Sequence, residues 1–160
     1  MRELRSMPRE PAALIRLARL RTDLAPDREA LKARFAEAAK LLEELLRAGE
    51  LSRADLVLLA VNLHGYYTAL ETALERIARL YDEELPSGPA WHRELVEQMR
   101  IAVPGLRDPV VPAHRVADLH ELRRFRHFFR NAYVLDLDVA RVREHAQRLV
   151  DVHSDIATSP

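Results

Sequence analysis

The stretch that decides the fold is residues 31–45, LKARFAEAAKLLEEL, in which Leu31, Phe35, Ala38, Leu42 and Leu45 recur every three or four positions. That spacing places the five side chains on one face of an α-helix, which has about 3.6 residues per turn. Nearly every other apolar run of the chain has the same spacing, and alternating β-branched segments are missing. The sequence therefore predicts an all-α protein, an antiparallel bundle of five to six helices.

A proline and a glycine mark the ends of the first predicted helices. Pro26 is predicted to end a short opening helix, because proline lacks the N–H that continues the helical hydrogen bonds. Residues 1–25 would then form an N-terminal extension helix. The next helix is predicted to begin at about Asp27 and to end at Gly49, because glycine is a frequent C-terminal cap.

The longest helix is predicted from Ser52 to about Leu85. Ser52 and Asp55 have the spacing of an N-terminal capping motif, with Asp in place of the usual Glu. Gly65 interrupts this run, and a glycine there is expected to let another helix backbone approach closely beside Tyr66 and Tyr67.

Three more helices are predicted in the second half of the chain. The segment Val103–Pro112 contains three prolines and a glycine, so it is predicted to be the longest loop and the place where mobility or ordering by a partner is expected. The predicted helices are Ala90–Ile101, Ala113–Val134 and Val139–His153.

The length of 160 residues predicts one helical domain, with residues 27–153 as the bundle and residues 154–160 as a frayed tail. Lys plus Arg and Asp plus Glu number 25 each, so the formal net charge is zero and any anion site must be local.

The absence of cysteine excludes thiolate metal sites and fits a cytoplasmic protein. No apolar run approaches the ~20 residues of a membrane span, so no membrane association is expected.

The segment Phe125–Tyr133, FRHFFRNAY, contains the densest polar chemistry of the chain. On a helix, Arg126, Arg130 and Tyr133 share one stripe, and His127 and Asn131 share the adjoining one. Arginine binds phosphate in a bidentate fork and histidine moves protons near neutral pH. This combination suits a phosphodiester and favours RNA or nucleotide chemistry.

A purely structural interpretation of that segment is also open. Its arginines could pair with Glu121, Asp136 and Asp138 on a solvated helix face. However, three of the chain's four phenylalanines lie in the segment, so its arginines are expected to be partly desolvated and to need an anion.

Two other polar groups are interpreted as packing residues. His64, Tyr66 and Tyr67 lie on the longest helix, and Trp91 and His92 open the short one. Trp91 is predicted to close one end of the bundle, with His92 at most capping the helix. No metal-binding spacing, glycine-rich phosphate loop or nucleophile elbow is present, so no metal and no cofactor are expected.

Three motifs in order connect the chain to a known family: LHGYY followed by Leu70-Glu71, WHREL followed by Gln98-Met99, and FRH followed by RNAY, which is residues 130–133. With this order on an all-α chain, residues 50–150 resemble the HepT-like branch of the HEPN superfamily. The resemblance implies a helical homodimer whose motif helices line a shared cleft. It also implies a toxin that cleaves RNA without metal and that is encoded beside a minimal nucleotidyltransferase antitoxin.

The resemblance assigns roles to particular residues. Arg126 matches the arginine of the family signature and His127 the polar residue after it, while Asn131 stands at the usual histidine position. Arg126, His127 and Asn131 are thus the expected catalytic residues. Tyr133 matches a tyrosine that the antitoxin adenylylates in some systems. Arg123 and Arg130 are expected to bind RNA phosphate.

Asn131 leaves the activity open, because an amide cannot act as a general acid or base. In one mechanism His127 takes the proton of the ribose 2′-OH while Arg126 and Arg130 stabilise the charge on phosphate. His127 lies about 100° round the helix from Arg126, so a partner subunit would supply the second group. In the other, catalysis is lost and the protein is a silent partner of the nucleotidyltransferase. A structural helical adaptor is the third possibility.

Overall fold

The computed structural model describes residues 10–82, 84–131 and 137–157. Within these ranges the chain is helical, without a β-strand, so the predicted all-α class is confirmed. None of the described helices is long and apolar enough to cross a membrane. A short 3₁₀ turn, Ala113–Arg115, precedes the fourth helix. The α-helices are α1 Glu10–Ala48, α2 Arg53–Tyr81, α3 Trp91–Arg100, α4 Val116–Asn131 and α5 Val139–Ala157.

Helices α1 and α2 form an antiparallel hairpin. Gly49 has the positive φ of 80° expected of a C-terminal cap, and its N–H donates to the Leu45 carbonyl. The Ser52 hydroxyl accepts from the Asp55 N–H at 3.1 Å and donates to the Asp55 carboxylate at 2.6 Å. Both predicted caps are confirmed, and together they reverse the chain between two long helices.

Helix α2 is the central helix, since it packs against α1, α3, α4 and α5. Its apolar residues are therefore buried on several sides. Tyr66 is also buried, and its hydroxyl lies 3.1 Å from Nδ1 of His153 on α5, whose ring stacks on Phe35 of α1 at 4.0 Å. The fully buried residues of α2 include Leu59, Ala60, Leu63, Tyr66, Tyr67, Leu70, Leu74 and Ala78.

The prediction that Pro26 ends the first helix is wrong, because α1 continues through it. Proline removes one helical hydrogen bond at a cost of about 3 kcal/mol. Contact with α2 lies directly after the proline, where the buried Asp27 carboxylate is 2.9 Å from Nε of Arg76. The contacts that α1 makes with α2 after the proline stabilise a helix that proline would end in isolation.

Three other predicted boundaries are corrected. Helix α2 ends at Tyr81 rather than near Leu85. The next residue, Asp82, forms an ion pair with Arg107. The motif helix begins at Val116 after the 3₁₀ turn, and residues 132–134 lie outside the described residues. Helix α5 runs beyond the predicted end at His153, since contacts with α1 and α2 hold that residue in place.

Arg107 connects the predicted loop at residues 103–112 to the end of α2. The Arg107 side chain is 4% exposed and donates to both carboxylate oxygens of Asp82 and to the carbonyls of Ile101 and Asp108. Gly65 also differs from expectation. The Arg34 side chain, not a helix backbone, fills the space beside it, with Nε 2.9 Å from where a Cβ would stand.

Substituting Pro26 tests whether α1 is continuous. Pro26→Ala restores an N–H that can donate to the Thr22 carbonyl, so we expect the free energy of unfolding in urea to rise by up to about 3 kcal/mol. Pro89→Ala is the control, because Pro89 lies in a turn, where loss of proline is expected to destabilise by less than about 1 kcal/mol. An unchanged unfolding free energy in Pro26→Ala would mean that the helix breaks there.

Candidate functional site

The candidate site is built around the carboxylate of Glu71 on α2. Its Oε2 accepts a hydrogen bond from Nη1 of Arg126 on α4, and its Oε1 lies 2.5 Å from Nδ1 of His92 on α3. The Glu71 side chain is 7% exposed, the Arg126 side chain 13% and the His92 side chain 31%. One buried carboxylate therefore holds a guanidinium and an imidazole next to each other, near the surface.

Arg126 lies between this carboxylate and an aromatic ring. Its guanidinium carbon is 5.7 Å from the centroid of Tyr67, within the range of a cation–π contact. The expected need for an anion is confirmed, but the anion is Glu71 rather than Glu121, Asp136 or Asp138. Glu121 pairs with Arg124 instead, Asp138 accepts from the N–H of Ala140 at the start of α5, and residue 136 lies outside the described residues.

Tyr67 completes the inner wall of the site. Burial raises the pKa of its phenol well above the usual range, and the nearby Glu71 carboxylate raises that pKa further, while Arg123 and Arg126 act in the opposite direction. The phenol therefore remains protonated near neutral pH. Tyr67 can donate a hydrogen bond in this site but cannot act there as a base.

Helix α4 presents three arginines at the site. Arg123, Arg126 and Arg130 are spaced by three and four residues, which places them on one face. Arg123 is half-buried, and its Nε lacks a hydrogen-bond partner among the described residues. Arg130 is exposed, and no described carboxylate pairs with it. Among the described residues, Glu71 is the one carboxylate that pairs with these three guanidinium groups, so this face carries local positive charge on a chain of zero net charge.

His64 of α2 lies beside the same arginines. Its ring centroid is 5.7 Å from that of Phe129, and its Nδ1 is buried without a partner among the described residues. Burial lowers the pKa of His64, and the positive charges of Arg126, Arg130 and Arg34 lower it further. A hydrogen bond to the Arg126 backbone has the opposite, smaller effect of raising that pKa. His64 is therefore neutral near pH 7, chiefly because its ring is buried and secondarily because arginines surround it.

The residues expected from the sequence are only partly brought together. Arg123, Arg126 and Arg130 share the face just described. His127 follows Arg126 on α4 and is exposed. Asn131 ends α4, with its side chain outside the described residues, and Tyr133 lies outside them entirely.

Two residues of the site were missed as site residues. Glu71 and His92 appeared in the motifs of the resemblance, but His92 was interpreted as a capping residue. Its ring stacks on Trp91 with the centroids 3.6 Å apart and reaches Glu71 from a different helix. The sequence signal was an acidic residue inside an apolar helix, because a buried carboxylate needs a partner. Within the described ranges, no three His, Asp or Glu side chains are grouped to hold a metal ion.

Removing Glu71 tests the central role of its carboxylate. Glu71→Ala leaves the Arg126 charge buried and unpaired, so we expect the free energy of unfolding to fall by about 3–5 kcal/mol. Glu75→Ala, one turn along the same helix, removes only a looser pair with Arg79 and should cost less than about 1 kcal/mol. Equal losses for the two variants, measured by urea unfolding, would show that the Glu71 pair does not hold α4 to α2.

The comparisons with known proteins identify the family of the chain. A family model described as HepT-like protein matches residues 58–159, which is more than half of the chain. The match includes Glu71, His92 and the arginines of α4 and leaves out α1. Neither a curated protein nor a solved structure matches the chain at a significant level. The extent of the family match shows that this chain belongs to the HepT-like family.

Proposed function

We propose that this protein is a metal-independent endoribonuclease, the toxin of a cytoplasmic toxin–antitoxin pair, which cuts RNA through the cluster around Arg126 at a dimer cleft. The observation that carries the proposal is the setting of Arg126. Glu71 accepts a hydrogen bond from Nη1 of Arg126, and no described residue accepts one from its Nε or Nη2. Arg123 and Arg130 lie on the same face of α4. Membership of the HepT-like family supports the same activity.

The arginines have separate roles in the proposed reaction. Arg126 donates to a non-bridging oxygen of the scissile phosphate, where charge accumulates in the transition state. Arg123 and Arg130 bind neighbouring phosphates and hold the RNA in register. Because the net charge is zero, affinity depends on this confined set of arginines, and binding should fall with salt less steeply than for a broadly basic protein.

The reaction needs two proton transfers. The ribose 2′-OH must lose its proton as its oxygen attacks phosphorus, and the departing 5′-oxygen must gain one, which leaves a 2′,3′-cyclic phosphate end. Asn131 can donate a hydrogen bond but cannot carry a proton. His127 is the proposed carrier from the motif itself, acting with groups of the second subunit across the cleft.

The proposed partners follow from the family. A second copy of the chain completes the cleft, and a nucleotidyltransferase-type antitoxin silences the toxin. Tyr133 is the proposed acceptor of adenylate. A nucleotidyltransferase reading frame that overlaps or adjoins this one would support the pairing.

A catalytically silent partner of the nucleotidyltransferase is the second candidate, favoured by Asn131 at the histidine position. The structural adaptor is the third, and the Arg126–Glu71 pair changes how it can be tested. Because Arg126 is a buried counter-ion, Arg126→Ala should destabilise the fold under every candidate function. A melting curve of that variant therefore does not separate them, and a variant that keeps the charge is needed.

Arg126→Lys tests the nuclease. Lysine can still pair with Glu71 but lacks the planar fork, so we expect cleavage of a structured RNA in EDTA to slow by about 10²–10³-fold with little change in the unfolding midpoint. His127→Ala should also slow cleavage, by about 10²–10⁴-fold. The measurement is the rate of appearance of ends that carry a cyclic phosphate.

Arg124→Lys is the matched control, because Arg124 lies on the same helix but is exposed and pairs with Glu121. Its cleavage rate should equal that of the wild type. RNA left uncut by the wild type, together with no growth arrest on expression, would contradict the nuclease. Stable co-purification with the nucleotidyltransferase would then favour the silent partner.

A further inference from the structure

The proposed reaction needs a group beside Arg126, on the same chain, that accepts the proton of the ribose 2′-OH. Asn131 cannot serve, and His127 is turned away from Arg126 by about 100° on the same helix. A histidine that lies beside Arg126 in space, whatever its place in the sequence, would fill this role. His92 is that histidine, since it shares the Glu71 carboxylate with Arg126.

The hydrogen bond to Glu71 fixes the tautomer that the neutral His92 ring adopts. An ionised carboxylate can only accept, so Nδ1 of His92 must be the donor. In the neutral ring the lone pair then belongs to Nε2. Nε2 is neither buried nor hydrogen-bonded to any described residue, and the side chain is 31% exposed. The basic nitrogen is therefore available to a bound ligand.

The ring is also held in place. The Trp91 indole stacks on it at 3.6 Å between centroids, with an interplanar angle of 29°. Helix α3 itself is fixed by Leu95, Val96 and Met99, which are buried in the core. A histidine oriented by a carboxylate on one nitrogen, with the other nitrogen open, has the arrangement of a general base and its orienting group.

We propose that His92 is the general base of this site and that Glu71 is its positioning residue; the proposal rests on the ribonuclease function proposed above. Nε2 removes the proton of the ribose 2′-OH, the 2′-oxygen forms a bond to phosphorus, and the bond from phosphorus to the 5′-oxygen breaks. The leaving 5′-oxygen takes a proton from His127 of the second subunit. His92 then returns its proton to solvent water, and His127 regains one from it.

His92→Asn is the most direct test. The asparagine amide can donate to Glu71 in place of Nδ1, but it cannot carry a proton. We expect the single-turnover rate of RNA cleavage in EDTA to fall by about 10²–10⁴-fold, while the affinity for an uncleavable 2′-deoxy analogue is unchanged. The matched control is His114→Asn, because His114 is an exposed histidine that also pairs with a carboxylate, Asp155, at 2.7 Å. Its rate should stay at the wild-type value.

Chemical rescue separates a proton carrier from a structural residue. His92→Ala leaves space beside Glu71, so imidazole added to the buffer should restore part of the lost rate there and none in Arg126→Lys. Glu71→Gln should slow the single-turnover rate without weakening binding of the analogue, and imidazole should not restore it.

The outcomes separate this inference from the function on which it rests. Wild-type protein that cuts RNA, together with a His92→Asn variant that cuts at the same rate, overturns the role of His92 and leaves the nuclease standing. A folded His92→Ala variant that has lost activity but is not rescued by imidazole also overturns it. Wild-type protein that leaves RNA uncut overturns both proposals.

Discussion

The carboxylate of Glu71 connects three helices of this bundle. It lies inside α2, the helix that packs against all the others, and it bonds to Arg126 on α4 and to His92 on α3. A charged group in the interior costs several kcal/mol unless it is paired and hydrogen-bonded. The placement of α3 and α4 against α2 must therefore bring a guanidinium and an imidazole to this one point.

Because the Glu71 carboxylate must be paired, polar groups lie at the edge of an otherwise apolar core. Arg126 can be a counter-ion and a phosphate ligand at once, because its guanidinium has five N–H donors and Glu71 takes one nitrogen. Lysine has its three donors on one nitrogen and lacks the planar fork, so it could not offer phosphate the same pair of parallel donors. The Arg126 guanidinium thus pairs with the buried carboxylate through Nη1 and has its other N–H donors available to a ligand.

In the proposed function, the chemistry of the site is distributed over three helices rather than one motif. Helix α4 supplies the arginines, α2 the carboxylate and α3 the base. Asn131 at the histidine position then means that the proton carrier has a different place in the chain, because the site requires only that an imidazole reach the substrate. Trp91, which stacks on His92, becomes part of the site's support.

The sequence by itself determined the helical class, both caps of the α1–α2 turn, and the face of α4 that Arg126 and Arg130 share. Each follows from local rules: apolar spacing, glycine at positive φ, and side-chain capping. The passage of α1 through Pro26, the extension of α5 beyond His153 and the anchoring of Arg107 by Asp82 depended on neighbours far away in the chain. The pairing of Arg126 with Glu71, 55 residues apart, and the joining of His92 to that pair were likewise decided by the tertiary structure alone. An acidic residue in an apolar helix indicates that its carboxylate needs a partner, but only the packing of the helices decides which cations reach it.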